Sequence, residues 1–106
     1  MTTFDEREKG FEAKYKHDQE LQFKARNRGN KLFGLWIAER LGLSGDAAEA
    51  YAKDVVMADF EAPGDDDVFD KVKPDLAAKS VQIDDEVLKK HLLECRDQAL
   101  QQIKAE

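Results

Sequence analysis

The sequence is poor in residues that interrupt helices or cross-link chains. Its 106 residues include two prolines and a single cysteine, Cys95, so no internal disulfide can form, and a reducing compartment fits. No apolar run approaches the roughly 20 residues that a transmembrane helix requires. The first ten residues (MTTFDEREKG) contain no apolar h-region, so we expect no secretory signal.

Charge, in contrast, is abundant and unevenly distributed. Charged residues make up 38% of the chain, whereas about 25% is typical of globular proteins. Residues 1–31 carry eight Lys or Arg and six Asp or Glu, a net charge of +2, and residues 32–106 carry nine and seventeen, a net charge of −8. Such an acidic body repels nucleic acid and anionic lipid, so we expect no nucleic-acid partner and no direct membrane insertion.

The spacing of apolar residues predicts an all-α protein. Helices are expected at about residues 19–41, 45–61, 66–79 and 85–104, separated by the turn GLSGD (42–46), the break APGDDD (62–67) and a short connection before residue 85. Pro74 lies inside the third helix. The predicted buried face of the second helix is formed by Ala48, Tyr51, Ala52, Val55, Val56 and Phe60. Amphipathic helices with short connections predict a four-helix bundle formed by residues 19–106.

Residues 1–18, called the N-terminal arm below, have a different pattern. Phe4, Phe11 and Tyr15 fall within about 40° of one another on a helical wheel, a narrow stripe among charged residues. Gly10 lowers helix stability by about 1 kcal/mol relative to alanine. We therefore expect the arm to be flexible in the isolated protein and to become helical in the groove of a partner. The alternative is that the three aromatic residues fold back and complete the bundle core.

Two other groups of residues invite a metal-site interpretation. His91 and Cys95 are spaced as i, i+4 on the fourth helix, but zinc needs three or four ligands, so we interpret both as packing residues. Asp65, Asp66 and Asp67 with Asp70 lack the glycine and the bidentate glutamate of a calcium loop, and acidic residues favour a helix N-terminus. We predict no metal site.

The basic cluster of residues 24–31 suggests phosphate contacts. Its members are Lys24, Arg26, Arg28 and Lys31. No aromatic side chains are interleaved with them as stacking platforms, so we interpret the cluster as a solvated helix face. The sequence offers no coherent catalytic set, so we do not predict an enzyme.

The stretch TFDEREKGFEAKYKHDQELQFKARNRGNKLFGLW resembles the N-terminal signature of the ATPase-inhibitory zeta subunits of alphaproteobacterial F-type ATP synthases. The likeness continues through SGDAAEAYAKDVVMADFEAPGDDDVFDKV and a helical C-terminus ending in QQIK. It implies a four-helix bundle with a mobile N-terminal inhibitory segment. In that family the segment enters a catalytic interface of the ATPase head as a helix, between an alpha and a beta subunit and against the gamma rotor, and blocks ATP hydrolysis.

Transferred to this chain, the resemblance implies that the arm binds the partner. Phe4, Phe11 and Tyr15 are then the apolar anchors, and charged residues set register and partner choice: Arg7, Glu8, Glu12, Lys14 and Lys16. The implied partners are the alpha, beta and gamma subunits, and the implied location is cytoplasmic, peripheral at the inner membrane. The family also implies weak adenine-nucleotide binding, for which no motif here locates a site, and no other cofactor.

Two questions stay open on the sequence alone. A non-inhibitory adaptor or assembly factor whose arm has another client fits the same pattern. His17 is a candidate for pH-sensitive binding, because an unperturbed imidazole titrates near pH 6.5.

Overall fold

The computed structural model describes the backbone of residues 2–60 and 66–105 and the side chains of residues 19–60 and 66–105. Four helices follow one another: α1 (Thr2–Arg40), α2 (Gly45–Asp59), α3 (Asp66–Ala78) and α4 (Asp85–Lys104). No strand occurs in these two ranges. The predicted all-α, four-helix fold is confirmed, and α2, α3 and α4 end within two residues of their predicted boundaries.

Helix α1 is longer than the predicted first helix of the bundle. It begins at Thr2, so the backbone of the arm is continuous with the helix that enters the bundle. At 1.5 Å per residue its 39 residues span about 58 Å, close to the 66 Å longest dimension of the molecule. The side chains of residues 1–18 lie outside the described part of the chain, so the flexibility of the arm and the domain boundary at residue 18 stay predictions.

Helix α1 occupies the centre of the bundle. It packs against α4 and α2, while α3 packs mainly on α2. Two glycines allow the close approach: a methyl group on Gly29 would lie 2.5 Å from Arg96 Cα, and one on Gly34 would lie 2.7 Å from Ala52 Cα. Because five helical residues turn through about 140°, α4 and α2 contact different faces of α1.

The core combines one apolar stripe from each helix. Phe33, Ile37 and Leu92 are fully buried within it, and each such side chain contributes roughly 1.5–3 kcal/mol relative to exposure. The other three helices contribute Tyr51, Val55, Val68, Val72, Leu76, Leu88 and Cys95. The predicted buried face of the second helix is confirmed, with Tyr51, Ala52 and Val55 buried and Ala48 and Val56 partly buried, except at one position.

That exception is Phe60, which was predicted on the buried face of the second helix and is 52% exposed. At 100° per residue, Phe60 lies about 140° from Val55 around the helix axis, and it follows the last residue of α2. Its ring instead lies 6.0 Å from that of Phe23 on α1, which is also more than half exposed.

The turns have identifiable caps. Gly42 adopts a φ of +80°, and the N–H of Leu43 donates to the carbonyl of Ala38 at 2.9 Å, the pattern of a Schellman motif. Ser44 occupies the N-cap of α2, without a capping bond from its side chain. Pro74 lies inside α3, as predicted.

Candidate functional site

All eight residues predicted to bind a partner belong to the N-terminal part of α1. Phe4, Arg7, Glu8, Phe11, Glu12, Lys14, Tyr15 and Lys16 have side chains outside the described residues, and so has His17. The contacts predicted for them stay predictions. The structure does describe the residues at which α1 enters the bundle, and these residues connect the arm to the bundle.

Helix α1 reaches the bundle near Ala25, which is 4% exposed. In the preceding turn Leu21 is partly buried, whereas residues 19, 20 and 22–24 are exposed. The next turns bring Arg26, Gly29 and Asn30 against α2 and α4. Residues 25–30 are therefore the junction between the arm and the bundle.

A buried carboxylate lies at this junction. Asp59, the last residue of α2, has a side chain only 4% exposed. Arg26 donates to it with two nitrogens, Nε to Oδ2 at 2.6 Å and Nη2 to Oδ1 at 2.7 Å. Such bidentate, charge-assisted hydrogen bonds are stronger and more specific in geometry than bonds between neutral groups.

Asn30 and Arg96 complete the arrangement. Asn30 Nδ2 donates to Asp59 Oδ2 at 2.8 Å, and Asn30 Oδ1 accepts from Arg96 Nη2 at 2.9 Å and Nε at 3.2 Å. Arg96 Nη2 also lies 3.9 Å from Asp59 Oδ1. These four residues, called the Asp59 hub below, join α1, α2 and α4 through directional polar contacts.

The electrostatics of the hub favour the ionised carboxylate. The hydrogen bond from Arg26 lowers the pKa of Asp59, against the opposing effect of burial. The hydrogen bond from Asn30 and the positive charge of Arg96 also lower this pKa. Asn30 is itself completely buried. A buried charge is tolerated where it is paired and hydrogen-bonded, as it is here.

Sequence reasoning missed this hub. Arg26 was interpreted as part of a solvated helix face, and this was wrong: Lys24 and Lys31 are exposed, but Arg26 binds Asp59 across 33 positions of the chain. Two signals were available: Asn30, a polar residue next to the apolar run that leads to Trp36, and Asp59, a charged residue between Ala58 and Phe60.

An aromatic cluster lies at the other end of the bundle. The ring of His91 stacks on Trp36 at 3.9 Å, Arg40 Cζ lies 4.2 Å from the Trp36 ring centre, and Phe33 contacts Phe69 edge to face at 6.5 Å. His91 is thus a packing residue, as interpreted from the sequence.

Cys95 is buried in the hydrophobic core as a free thiol. Burial, with the nearby Glu94 carboxylate, raises its pKa, which disfavours the thiolate that nucleophilic or metal-binding chemistry needs. Among the described residues no three His, Cys, Asp or Glu side chains come together as metal ligands. Asp66 and Asp67 lie in the first turn of α3, as the helix N-terminus interpretation predicts.

A surface groove of about 730 Å³ is lined by residues of α1 and α2. It is lined by Asn27, Arg28, Lys31, Asp46, Glu49, Ala50, Lys53 and Val56. Lys31 pairs with Glu49 at 3.4 Å, and the mixed charge of the lining does not define a class of ligand. It assigns no residues to the adenine-nucleotide binding that the resemblance implies.

Comparison with known proteins gives a match over nearly the whole chain. The family model described as ATPase inhibitor subunit zeta matches residues 1–102. The match includes the arm, the Asp59 hub and most of α4. A search of curated proteins finds no match. None of the described helices has the length and apolar character needed to cross a membrane.

Proposed function

Because the chain belongs to the ATPase inhibitor subunit zeta family, we propose that it is the inhibitory regulatory subunit of an F-type ATP synthase. Membership of this family supports an inhibitory role toward an ATPase in general. The observation that carries the proposal is the extent of the match, residues 1–102, which includes the arm as well as the bundle.

The arm inserts as a helix into an alpha/beta catalytic interface next to the gamma rotor. The continuous helical backbone from Thr2 supports this role, because about 18 helical residues span roughly 27 Å. Rotary catalysis takes the interface through open and closed shapes, and a helix that fits one shape shifts the population toward it. Hydrolysis stops when the interface can no longer complete the cycle.

Within the arm, the apolar and charged residues have separate roles. Phe4, Phe11 and Tyr15 fill apolar pockets of the interface, and burial of such side chains supplies most of the binding free energy. The charged residues set register and speed the encounter more than they add affinity; they are Arg7, Glu8, Glu12, Lys14 and Lys16.

The bundle acts as the holder of the arm. It limits how far the arm enters and presents it at the outside of the ATPase head. The partners are the alpha, beta and gamma subunits, and the protein is cytoplasmic, held peripherally at the inner membrane through the synthase. Its role is regulatory and not enzymatic.

The test is ATP hydrolysis by the cognate ATPase head, measured with and without the full chain. We expect added protein to lower the rate, and deletion of residues 1–18 to abolish this effect while the circular dichroism of the bundle stays helical. Full inhibition by the truncated chain would reject the role of the arm.

A second experiment examines the anchors. Phe11→Ala should weaken inhibition and leave the thermal stability of the bundle unchanged, whereas Lys9→Ala, in the same segment but outside the predicted set, should inhibit like the wild type. A large loss of stability in Phe11→Ala would place Phe11 in the bundle core. A chain that copurifies with the head without inhibiting it would be an adaptor or assembly factor.

A further inference from the structure

Apolar side chains are exposed together at the end of the bundle from which the arm leaves. Among the described residues, five large apolar side chains are 48–58% exposed, and three of these are Phe23, Met57 and Phe60. The rings of Phe23 and Phe60 lie 6.0 Å apart, and Met57 is one helical turn before Phe60. These three residues, called the apolar patch below, form a contiguous surface contributed by α1 and the end of α2.

The packing of the helices places this patch beside the arm. Gly34 of α1 approaches Ala52, whereas Arg26 binds Asp59, so α2 runs antiparallel to α1. The end of α2 therefore lies beside the residues of α1 that directly follow the arm. Phe23 is five positions after the last residue of the arm, a separation of about 8 Å along a helix and at most about 18 Å in an extended chain.

This short connection limits which surface the patch can reach when the arm is bound. A groove that holds residues 1–18 brings Phe23 to within about 18 Å of its mouth, whether the arm is flexible or helical before it binds. Phe60 and Met57 come with Phe23, because they belong to the same patch. The surface available to the patch is then the rim of the groove that holds the arm.

The charges around the patch suit an interface with a neutral centre and a charged border. Asp59, next to Phe60 in the chain, is paired with Arg26 at 2.6 Å, so these two charges are compensated within the bundle. Interface centres are apolar and poor in charged residues, and their rims are polar. On the side of Met57 a hollow of about 430 Å³ has a mainly acidic lining: Asp54, Met57, Ala58, Asp67, Asp70 and Lys71.

We propose that the apolar patch is a second contact with the partner that takes up the arm: Phe23, Met57 and Phe60 dock on an apolar depression at the rim of the groove, bordered by Lys or Arg side chains of the partner. This inference rests on the proposed function and adds to it a contact surface on the bundle. The arm blocks the catalytic interface, and the patch holds the bundle against its outer edge.

Two contacts joined by a short segment strengthen each other. Once the arm is bound, docking of the patch is intramolecular, at an effective concentration on the order of millimolar. Aromatic side chains are common among the residues that dominate interfaces, so we expect loss of both rings to weaken binding about tenfold. Inhibition at saturating protein should remain complete, because the arm is intact.

The first experiment measures the concentration of full chain that half-inhibits ATP hydrolysis by the cognate head. The double variant Phe23→Gln, Phe60→Gln removes both rings, and Asp70→Lys reverses one charge of the acidic hollow. Thermal unfolding of each variant verifies that it is folded at the assay temperature. Because the rings are about half exposed, their loss should change the melting temperature little.

The matched control is Val87→Gln. Val87 is 48% exposed and lies in the first turn of α4. Trp36 stacks on His91, whereas Asn30 binds Arg96, so α4 runs antiparallel to α1. The first turn of α4 therefore lies at the end of the bundle opposite the arm, and this substitution removes exposed apolar surface far from the patch.

The second experiment keeps both rings in place. Met57→Cys, in a Cys95→Ala background, is alkylated with a maleimide in the presence and absence of the ATPase head, and the rate is followed by the mass of the full chain. Val87→Cys in the same background is the control. We expect the head to slow alkylation at Met57→Cys several-fold and to leave the rate at Val87→Cys unchanged.

In the inhibition assay we expect the double variant to require about ten times the wild-type concentration. Asp70→Lys should require a smaller increase, and Val87→Gln none. If the wild-type chain inhibits and the double variant inhibits equally well, the inference is overturned while the proposed function stands. A gain of affinity in Asp70→Lys would indicate an acidic border on the partner and overturn the stated chemistry.

The alkylation rates separate the other possible occupants of the patch. Faster alkylation at Met57→Cys when the head is added would mean that the arm covers the patch in the free chain. A rate that falls as the chain alone is concentrated would assign the patch to a second copy, and either result overturns the inference. If the wild-type chain binds the head without inhibiting it, the proposed function fails, and protection of Met57→Cys would still support the patch as a contact.

Discussion

Helix α1 is held in the bundle at two places by different chemistry. At residues 26–30 it is fixed by the Asp59 hub, in which a carboxylate 4% exposed accepts from three nitrogens within 2.8 Å. At residues 33–41 it is fixed by apolar and aromatic packing, with Phe33, Ile37 and Ala38 fully buried. The first contact is directional and depends on ionisation, while the second is non-directional and depends on removal of apolar surface from water.

The two ends of this part of α1 therefore contribute differently to the fold. Apolar packing supplies stability but tolerates small changes of angle, because its energy depends mainly on buried area. A bidentate ion pair loses its energy when the angle changes. The directional contact lies at the end of the bundle from which α1 continues as the arm.

The largest expected effect is at the apolar end. Phe33→Ala should lower the free energy of unfolding by about 3–5 kcal/mol, because it leaves a cavity in the centre of the core. Phe23→Ala, at a ring 54% exposed, should change it by no more than about 0.5 kcal/mol. Urea unfolding measures both, and equal losses would contradict the distinction between buried and exposed aromatic residues on α1.

At the polar end, Asp59→Ala should lower the free energy of unfolding by about 3 kcal/mol. Removing one partner of a buried ion pair leaves the remaining polar groups of the hub unsatisfied. Asp54→Ala, on the exposed face of the same helix, is the matched control and should stay within about 0.5 kcal/mol of the wild type. A cost for Asp59→Ala as small as that of the control would mean that water replaces the hub contacts without loss.

The close approach of the helices predicts a third effect. Gly29→Ala and Gly34→Ala each improve helix propensity by about 1 kcal/mol, but the added methyl would lie 2.5–2.7 Å from a backbone Cα of a neighbouring helix. We expect each substitution to lower the free energy of unfolding by about 1–2 kcal/mol, because overpacking forces the two helix backbones apart. A raised melting temperature in either variant would show that the helices can separate at little cost.

The smallest expected effect is the pH dependence of the stability of the fold. Arg26 lowers the pKa of Asp59 in the folded state, whereas an unfolded aspartate titrates near pH 4. The stabilisation is therefore complete above about pH 5 and is lost as pH falls through the folded pKa, because the unfolded chain then binds the proton more readily. Asp59→Asn should flatten the fall in melting temperature on acidification.

Asp75 contributes to the same acid response. Partial burial alone would raise its pKa, but the bonds from Lys71 and Tyr51 lower it overall, so Asp75→Asn should also flatten the curve. Phe33→Leu, which alters only the apolar end, should shift the whole curve down and keep its shape. A changed shape in Phe33→Leu would mean that the two ends of α1 are coupled.

Much of the fold could be predicted from local patterns. The stripe Leu88, Leu92, Cys95, Ala99 has helical spacing, and all four residues are buried. The turn at Gly42 and the acidic start of α3 at Asp66 follow from backbone preferences and helix polarity. The prediction for Phe60 was wrong because the periodic pattern was extended past the end of α2 at Asp59. Beyond that end, the ring of Phe60 packs against Phe23 instead.

The hub could not be predicted in the same way. Arg26, Asn30, Asp59 and Arg96 have 29 to 66 positions between partners, and the two arginines belong to polar stretches that also suit an exposed helix face. Nothing in the spacing of one helix indicates which polar residue of another helix will face it. The binding residues predicted on the arm stay a prediction, since the contacts expected of them are with a partner and not with the bundle.

The helical class, the number and ends of the later helices and the family could be read from the chain, because they depend on residues close in the sequence or on a pattern extending over residues 1–102. Which charges are buried and paired depends on the packing of the helices, since Arg26 and Asn30 offset the cost of burying Asp59 only when α1 and α2 pack together. The orientation of α1 at its junction with the arm is therefore a property of the assembled bundle and of no single helix.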